Sequence, residues 1–425
     1  MSTPPTPSPR VVFTSYQKFV IALLAFLQFT IILDFMILSP LGALLLRDLN
    51  ITTAQFGLVV SAYAFSAGIA GMLTAGFADK FDRKKLLLFF YAGFVLGTAL
   101  CAVAPNYPFL LGARIVTGLF GGVIGSIGFA IVTDLFPLEV RGRVMGTVQT
   151  AFAAAQVLGL PLGLLLSNHL GWHAPFAAIA GLSALVGVVI VLRLQPLTAH
   201  LAIPSQRSPV RHLLKTISDR RYLQAFGATM LLATGGFMLM PFGSAFTVNN
   251  LGIPITELPL IYVITGVCSI VAGPLLGRLA DQVGKYAVFV AGSVLAAIVV
   301  GIYCNLGTTP IAWVIAINAV LFSAIMARMI AAGALTSAVP EPQDRGAFMA
   351  VGSSLQQLSG GVASSIAGMI VFQTASGRIE RYDTLGWVVI GAITLTVVMM
   401  YPIHRMALAR LARPAAPLPQ PVAAE

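Results

Sequence analysis

The sequence predicts an all-α membrane protein of twelve transmembrane helices in two six-helix bundles, and three observations lead there. Of its 425 residues, 58% are apolar and only 9% charged. Apolar runs of about 20 residues, the length a bilayer demands of one helix, recur along the whole chain. Sequence landmarks repeat about 200 positions apart. Soluble domains carry roughly a quarter of their residues as charges, so a water-soluble fold could not cover itself with so few.

The expected spans of the first half are, to within a few residues, 19–41, 54–77, 86–104, 108–134, 144–167 and 174–193. Those of the second half are 223–248, 257–277, 286–305, 311–338, 347–373 and 385–403. Backbone groups in lipid must bond within their own segment, which makes these spans helices rather than strands of an open sheet. The domain plan is an N-terminal tail (1–18), a six-helix bundle (19–194), a linker (195–221), a second bundle (222–406) and a C-terminal tail (407–425). Disorder is expected at 1–15 and 414–425, and the linker carries a short amphipathic stretch near 210–217 suited to resting on lipid headgroups.

A net charge of +11 invites a nucleic-acid reading, but the placement of the charges opposes it. Twenty of the 25 Lys and Arg fall on one set of loops and tails, and only Arg47, Arg378 and Arg381 on the other. That bias predicts cytoplasmic termini; the expected location is a cell membrane of the bacterial inner type, which the chain crosses many times. The Pro-rich start lacks a basic region, and the apolar run after Lys18 is too long for a signal peptide. Cys101, Cys268 and Cys304 all fall inside spans and read as small packed side chains, not as a disulfide or metal site.

The repeat rests on two pairs of landmarks. Ala78, Asp79 and Arg83 follow span two, and Ala280, Asp281 and Lys285 follow span eight, with the two Asp 202 positions apart. Arg141, Gly142 and Met145 follow span four, and Arg345, Gly346 and Met349 follow span ten, 204 positions apart. A duplicated six-helix unit explains both.

Over essentially the whole chain these residues resemble the major facilitator superfamily. Ala78, Asp79, Arg83 and Lys84 are similar to its loop signature Gly-x-Leu-Ala-Asp-x-x-Gly-Arg-Lys, with Ala75 and Asp82 where Gly is usual; the second copy keeps Gly277 and Gly284. Leu110, Arg114 and Gly118 resemble the Leu-x-x-x-Arg-x-x-x-Gly pattern of proton-coupled members. Val157 to Gly163, followed by Gly171, Trp172, Pro175 and Phe176, resembles the drug and sugar (arabinose-type) efflux permeases, although Leu160 separates Gly159 from Pro161 and Leu164 replaces the last Gly of the antiporter pattern. The resemblance implies the major facilitator fold and alternating access. It also implies a gating network of Asp79, Arg83 and Asp134, with Asp281 and Lys285 as the second copy.

Three charged residues, Asp34, Arg114 and Arg328, lie well inside spans, where an ionised group is costly and usually faces a protein interior or a watery cavity. Asp34 and Arg114 are each about six or seven residues from the far end of their spans, so at 1.5 Å per residue both lie roughly 10 Å deep and can pair. A neighbouring guanidinium favours the charged carboxylate and apolar burial the neutral one, so a cavity that opens and closes can drive proton uptake and release. Asp34 is accordingly the expected proton-coupling group, tuned by Arg114; a static pair that only fixes two helices is the alternative. The 204-residue offset maps Arg114 to Asn318 and Asp34 to Phe237 or Met238, so the second half has no matching acid and base. Arg328 is a candidate for receiving an anionic group of the solute or for pairing with Asp34, or a side chain snorkelling to headgroups. Gln156, Gln356, Asn318, Tyr63 and Tyr262 complete the expected substrate-binding set, with Gln28, Gln149 and Gln357 as further polar groups that can bind solute or join helices.

Small residues recur every four positions in span five (Ala151, Ala155, Gly159, Gly163) and span eleven (Gly352, Gln356, Gly360, Ser364, Gly368), and are read as the surfaces on which the halves rock. His169 and His173 are too few ligands for a metal site. With no phosphate loop, nucleophile elbow or metal cluster in the sequence, an ATP-driven pump or an enzyme is disfavoured and no cofactor is expected. The expected function is proton-coupled efflux of a small organic solute, drug-like or sugar-like. Its partners are that solute, the proton and the bilayer, with no nucleic acid and a monomer as the working unit. Uptake of an organic anion by symport and a non-transporting sensor are the alternatives.

Overall fold

The computed structural model describes residues 13–74, 80–198, 201, 216–341 and 344–411. The first half comprises α1 (Ser15–Ile37), α2 (Thr53–Thr74), α3 (Arg83–Ala102), α4 (Tyr107–Leu135), α5 and α6 (His173–Arg193). Helix α5 has three sections: Leu138–Ala154, a wider π turn at Ala155–Gly159, and Leu160–Leu170. The second half comprises α7 (Arg220–Asn249), α8 (Leu258–Val283), α9 (Lys285–Tyr303), α10 (Ile311–Ser337), α11 (Arg345–Ile370) and α12 (Tyr382–Leu411). Both described chain ends lie on one face of this up-and-down array, here the terminus side.

Among the described residues, eleven helices are long and apolar enough to cross a membrane. The exception is α11, whose Ser353, Ser354, Gln356, Gln357 and Ser359 lower its hydropathy. At 23 residues α1 is about 35 Å long, enough for a hydrocarbon core of roughly 30 Å. Large apolar side chains such as Leu73, Leu170, Leu192, Trp313, Trp387 and Met369 are exposed, as a lipid-covered surface requires.

Local chemistry sets the ends. Thr14 and Gln17 form a reciprocal capping box at α1, while Asn106 caps α4 through the Phe109 N–H (3.1 Å). Gly284, at φ +106°, turns α8 into α9 in the left-handed region that favours glycine. Asp82 stands at the equivalent place in the first half with φ −54°, and its carboxylate accepts from the Lys84 N–H (2.9 Å) and the Leu197 N–H (3.0 Å). The departure from glycine there thus accompanies a different turn.

Four features depart from the expected outline. The first span stops at Ile37, and a separate short helix, Gly42–Asp48, follows a turn around Pro40. Helix α8 runs to Val283, so Asp281 sits on a helix end rather than a loop, and α12 continues to Leu411. A two-residue antiparallel ribbon, β1 (Phe372–Gln373) and β2 (Ile379–Glu380), joins α11 to α12. The Asn250 side chain, just past α7, holds it through both backbone groups of Ile379 at 2.8 Å. The linker's amphipathic stretch, apart from Thr216 and Ile217, lies outside the described residues, as do the tails at 1–12 and 412–425.

The core is asymmetric across the membrane. On the far side one apolar cluster runs through both halves, from Leu33, Phe56 and Leu164 to Phe242, Tyr303 and Leu385. On the terminus side there are two separate clusters, one around Leu24, Phe90 and Ile127 and the other around Phe226, Phe289 and Ile403. The halves are therefore joined on the far side and parted on the terminus side.

Close approaches explain the joint. Gly57 of α2 lies so near α11 that a Cβ there would be 2.8 Å from the Ser364 carbonyl, and one at Gly68 would be 2.9 Å from the Ser354 carbonyl. The Thr53 hydroxyl donates to the Val371 carbonyl (2.6 Å), and Ser365 to Ser61 (2.8 Å). This α2–α11 seam extends almost to the terminus side, where Gly71 meets Ser354. The α5–α8 contact is shorter, running from the π turn, where Gly266 meets Val157, to Asn168 and Ile255. Beyond α1, the Ser39 hydroxyl donates to the Met240 carbonyl, and the Ser244 hydroxyl returns a bond to the Ser39 carbonyl (2.8 Å).

The expected rocking stripes are corrected in part by these contacts: Gly368 and the Ser364 carbonyl do face the other half, at Gly57, but the remaining glycines do not. Gly159 and Gly163 of α5 meet Leu33 and Ile37 of α1, within their own half. Gly352 and Gly360 of α11 meet Phe226 and Phe237 of α7, again within one half. The interface row on α11 is instead Ser354, Leu358, Gly361, Ser365 and Gly368. Four-residue spacing marks a helix face that another backbone approaches, but not which one.

Candidate functional site

Asp34 of α1 and Arg114 of α4 are in contact, with 2.8 Å between carboxylate and guanidinium and neither exposed. The Thr98 hydroxyl of α3 donates to the other carboxylate oxygen (3.1 Å), and Arg114 also reaches the Asp34 carbonyl (3.4 Å). The guanidinium lies 4.6 Å above the Tyr63 ring of α2. Four helices thus supply one group each. The Arg114 Nε and its second terminal nitrogen have no hydrogen-bond partner, so the pair is incompletely satisfied.

Local packing brings these groups together. A Cβ at Gly118 would lie 2.4 Å from the Tyr63 carbonyl, so only glycine there lets α4 press against α2 and place Tyr63 under Arg114. Thr98, which shares the carboxylate, was not among the residues singled out from sequence. A hydroxyl on an apolar helix gives no sign of its partner until the helices are packed.

At the corresponding depth the second half has an uncharged cluster. The Tyr303 and Thr247 hydroxyls are 2.9 Å apart, Phe246 stacks on Tyr382 at 4.1 Å, and Asn318 donates to its own helix at Val314 (2.9 Å). Phe237, which maps close to Asp34, packs against Phe35 of the first half at 5.5 Å. Buried acid–base pairing is confined to the first half among the described residues.

The expected substrate-binding residues do not converge. Tyr63 belongs to the Asp34–Arg114 group, whereas Asn318 and Tyr262 lie with the far-side core of the second half. Gln156 is buried in the α5 π turn beside Gly266, and Gln356 is half-buried on α11. Arg328 is buried, donates to the Ser293 hydroxyl of α9 (3.0 Å) and lies 5.8 Å from the Phe289 ring centroid. It meets no acid among the described residues, and the Asp34 carboxylate is already taken by Arg114 and Thr98.

Of the expected gating residues, Asp79 lies outside the described residues. Arg83 is buried and bonds Asp134 at 3.1 Å, tying α3 to α4 within one half. Asp281 and Lys285 are exposed and form no ion pair among the described residues.

Two sets of six helices, joined on one side and parted on the other, with a sealed ion pair in one set, have the two-halved architecture of membrane transporters. The family model described as Major Facilitator Superfamily matches residues 24–228 and again 225–424. The chain belongs to that superfamily. It is 24% identical over 372 residues to the uncharacterized MFS-type transporter YbcL of Bacillus subtilis, covering 88% of this chain and 93% of that one. It is 26% identical over 271 residues to YceJ of the same organism, with coverages of 63% and 68%.

Solved structures agree on the fold. A point mutant of the nucleoside transporter NupG has a TM-score of 0.71 at 15% identity, covering 92% of this chain and 99% of that one. A bacterial homolog of the human lysosomal transporter Spinster, inward-facing and occupied, has a TM-score of 0.68 at 14% identity, with coverages of 94% and 97%. The protein is a multi-pass membrane transporter of small-molecule solutes, not an enzyme.

Proposed function

We propose that this protein exports a small organic solute in exchange for protons, with Asp34 as the group that takes up and releases the proton and Arg114 as the group that tunes it. The observation that carries the reading is the sealed pair: Asp34 is the only buried carboxylate among the described residues, and its partner has unmet hydrogen-bonding capacity. An ionised pair without solvent carries a desolvation cost, which makes a functional reason for keeping it the default reading, and a site that alternates between wet and dry gives its carboxyl two proton affinities. Both termini are cytoplasmic in this reading, from the bias of Lys and Arg toward that side, which makes the parted face the inner one. The membrane is of the bacterial inner type and the working unit a monomer. Export rather than import rests on the likeness of span five to efflux permeases.

In reconstituted vesicles, solute and proton flux in opposite directions support the proposal. Transport by Asp34→Asn that keeps full proton coupling would sink the assignment of Asp34. Arg328, buried with no acid beside it, favours a second reading, symport of an organic anion. Co-directional flux selects that reading, and binding without flux selects a sensor.

For the gate, Asp79, Arg83 and Asp134 are the latch in this reading; the Arg83–Asp134 bond joins two helices of the first half while the terminus side is parted, so the contact that closes the halves falls to Asp79. Asp79→Asn is expected to favour the inward-open state, and unchanged access of thiol reagents to the inner gate counts against the latch.

A further inference from the structure

On the terminus side of the first half, α1, α4 and α5 enclose a cleft of about 110 Å³. Leu24, Ile124, Phe129, Val132, Met145 and Val148 supply its apolar walls. Its polar groups among the described residues are two side-chain amides, Gln28 of α1 and Gln149 of α5, and no described acid, Lys or Arg lines it. Neither amide is hydrogen-bonded to another described residue, and neither has a polar atom sealed from solvent.

Two glycines keep the cleft open. A Cβ at Gly125 would stand 3.9 Å from the Gln28 amide oxygen, and one at Gly128 would stand 3.6 Å from Leu24, so each could carry a side chain and neither does. Gln149 lies seven residues before Gln156, on about the same side of α5. Gln156 is buried where α5 meets α8. Gln149 is exposed, two turns closer to the terminus side, where the apolar cores of the two halves have separated. The mouth of the cleft therefore faces the space between the halves.

We infer that this cleft holds one end of the solute, the rest lying in the space between the halves, and that the solute is an uncharged, mainly apolar organic molecule with one or two hydrogen-bonding groups such as an amide or carbonyl. The inference rests on the transporter reading and narrows its cargo. A side-chain amide offers both donors and an acceptor, so Gln28 and Gln149 can meet a carbonyl or an N–H. A charged solute would lose hydration against walls that return no counter-charge. A sugar would bury several hydroxyls where only two amides can answer them, and each unmet group is unfavourable.

The test is calorimetric binding to the full chain in lipid nanodiscs, with four probes: neutral benzanilide, anionic 4-phenylbenzoate, cationic benzyltrimethylammonium, and glucose. Benzanilide is expected to bind best. Replacing one neutral hydrogen bond by an apolar group, in Gln149→Leu, should weaken it roughly fivefold. Gly128→Leu, which fills the cleft, should weaken it by about tenfold or more, in the range of overpacking a filled site. Gly181→Leu, where a Cβ meets nothing within 4 Å, controls for folding and should leave binding unchanged. Equal benzanilide affinity in wild type and both cleft variants, or preference for a charged probe or glucose, overturns the inference. Because binding requires no proton movement, this result stands apart from the vesicle flux that judges proton exchange.

Discussion

Gly57→Ala is expected to open the far side. The added Cβ would sit 2.8 Å from the Ser364 carbonyl oxygen and 3.2 Å from the Gly368 Cα. Both are backbone atoms, so no side chain can swing away, and α2 and α11 must separate by about half an ångström to reach ordinary contact. Overpacking of this kind costs typically 1–3 kcal/mol. The cost falls only on the state in which the two helices touch here. The balance between far-side-closed and far-side-open forms should therefore shift by roughly 5- to 150-fold. The assay is the alkylation rate of one cysteine placed at Ala245, fully buried in the shared core, in a background lacking Cys101, Cys268 and Cys304. A membrane-impermeant thiol reagent applied from the far side should react faster by about the same factor, within the limit set by how closed the wild type is. Gly236→Ala, where a Cβ would meet nothing within 4 Å, should change nothing. Equal rates in Gly57→Ala and wild type would refute the view that this contact holds the far side shut.

Three further outcomes follow from the same geometry. Asp34→Asn leaves Arg114 buried without a counter-charge and should destabilise the protein by about 3–5 kcal/mol in thermal melts, with the double variant that combines Asp34→Asn and Arg114→Gln recovering part of the loss; a purely additive cycle would deny the pair its coupling. Ser244→Ala removes the 2.8 Å bond to the Ser39 carbonyl and should speed far-side labelling by roughly fivefold, for a loss of about 1 kcal/mol. Gly118→Ala drives a Cβ to within 2.4 Å of the Tyr63 carbonyl, and it should lower the yield of folded protein or its melting temperature far more than Gly181→Ala does.

The span count, the repeat and the pairing of Asp34 with Arg114 were legible because each rests on a signal that survives in one dimension. Charges are rare in lipid, so two at the same depth point to each other. The seam between the halves was less legible. Gly360 and Gly361 are neighbours in sequence, yet the first meets Phe237 of its own half and the second Phe65 of the other. Hydropathy cannot separate such positions, since both are small and both are packed. Gln28 and Gln149 were noticed as polar groups, but the space between them depends on Gly125 and Gly128 of a third helix. The ribbon at Phe372–Gln373 escaped notice because two residues carry no periodicity.

The single apolar cluster on the far side has a thermodynamic consequence. A conformation that parts the halves there uncovers Phe56, Phe242 and their neighbours, and it stays favourable only by burying comparable apolar surface between the halves on the terminus side, where the two cores are now separate. Switching then exchanges one buried area for another of similar kind. Because heat capacity follows the apolar area exposed, the two conformations should differ little in heat capacity, and their ratio should vary with temperature almost as a straight van't Hoff line. An empty carrier of this construction stays close to balance over a wide temperature range, free to be tipped by what it binds.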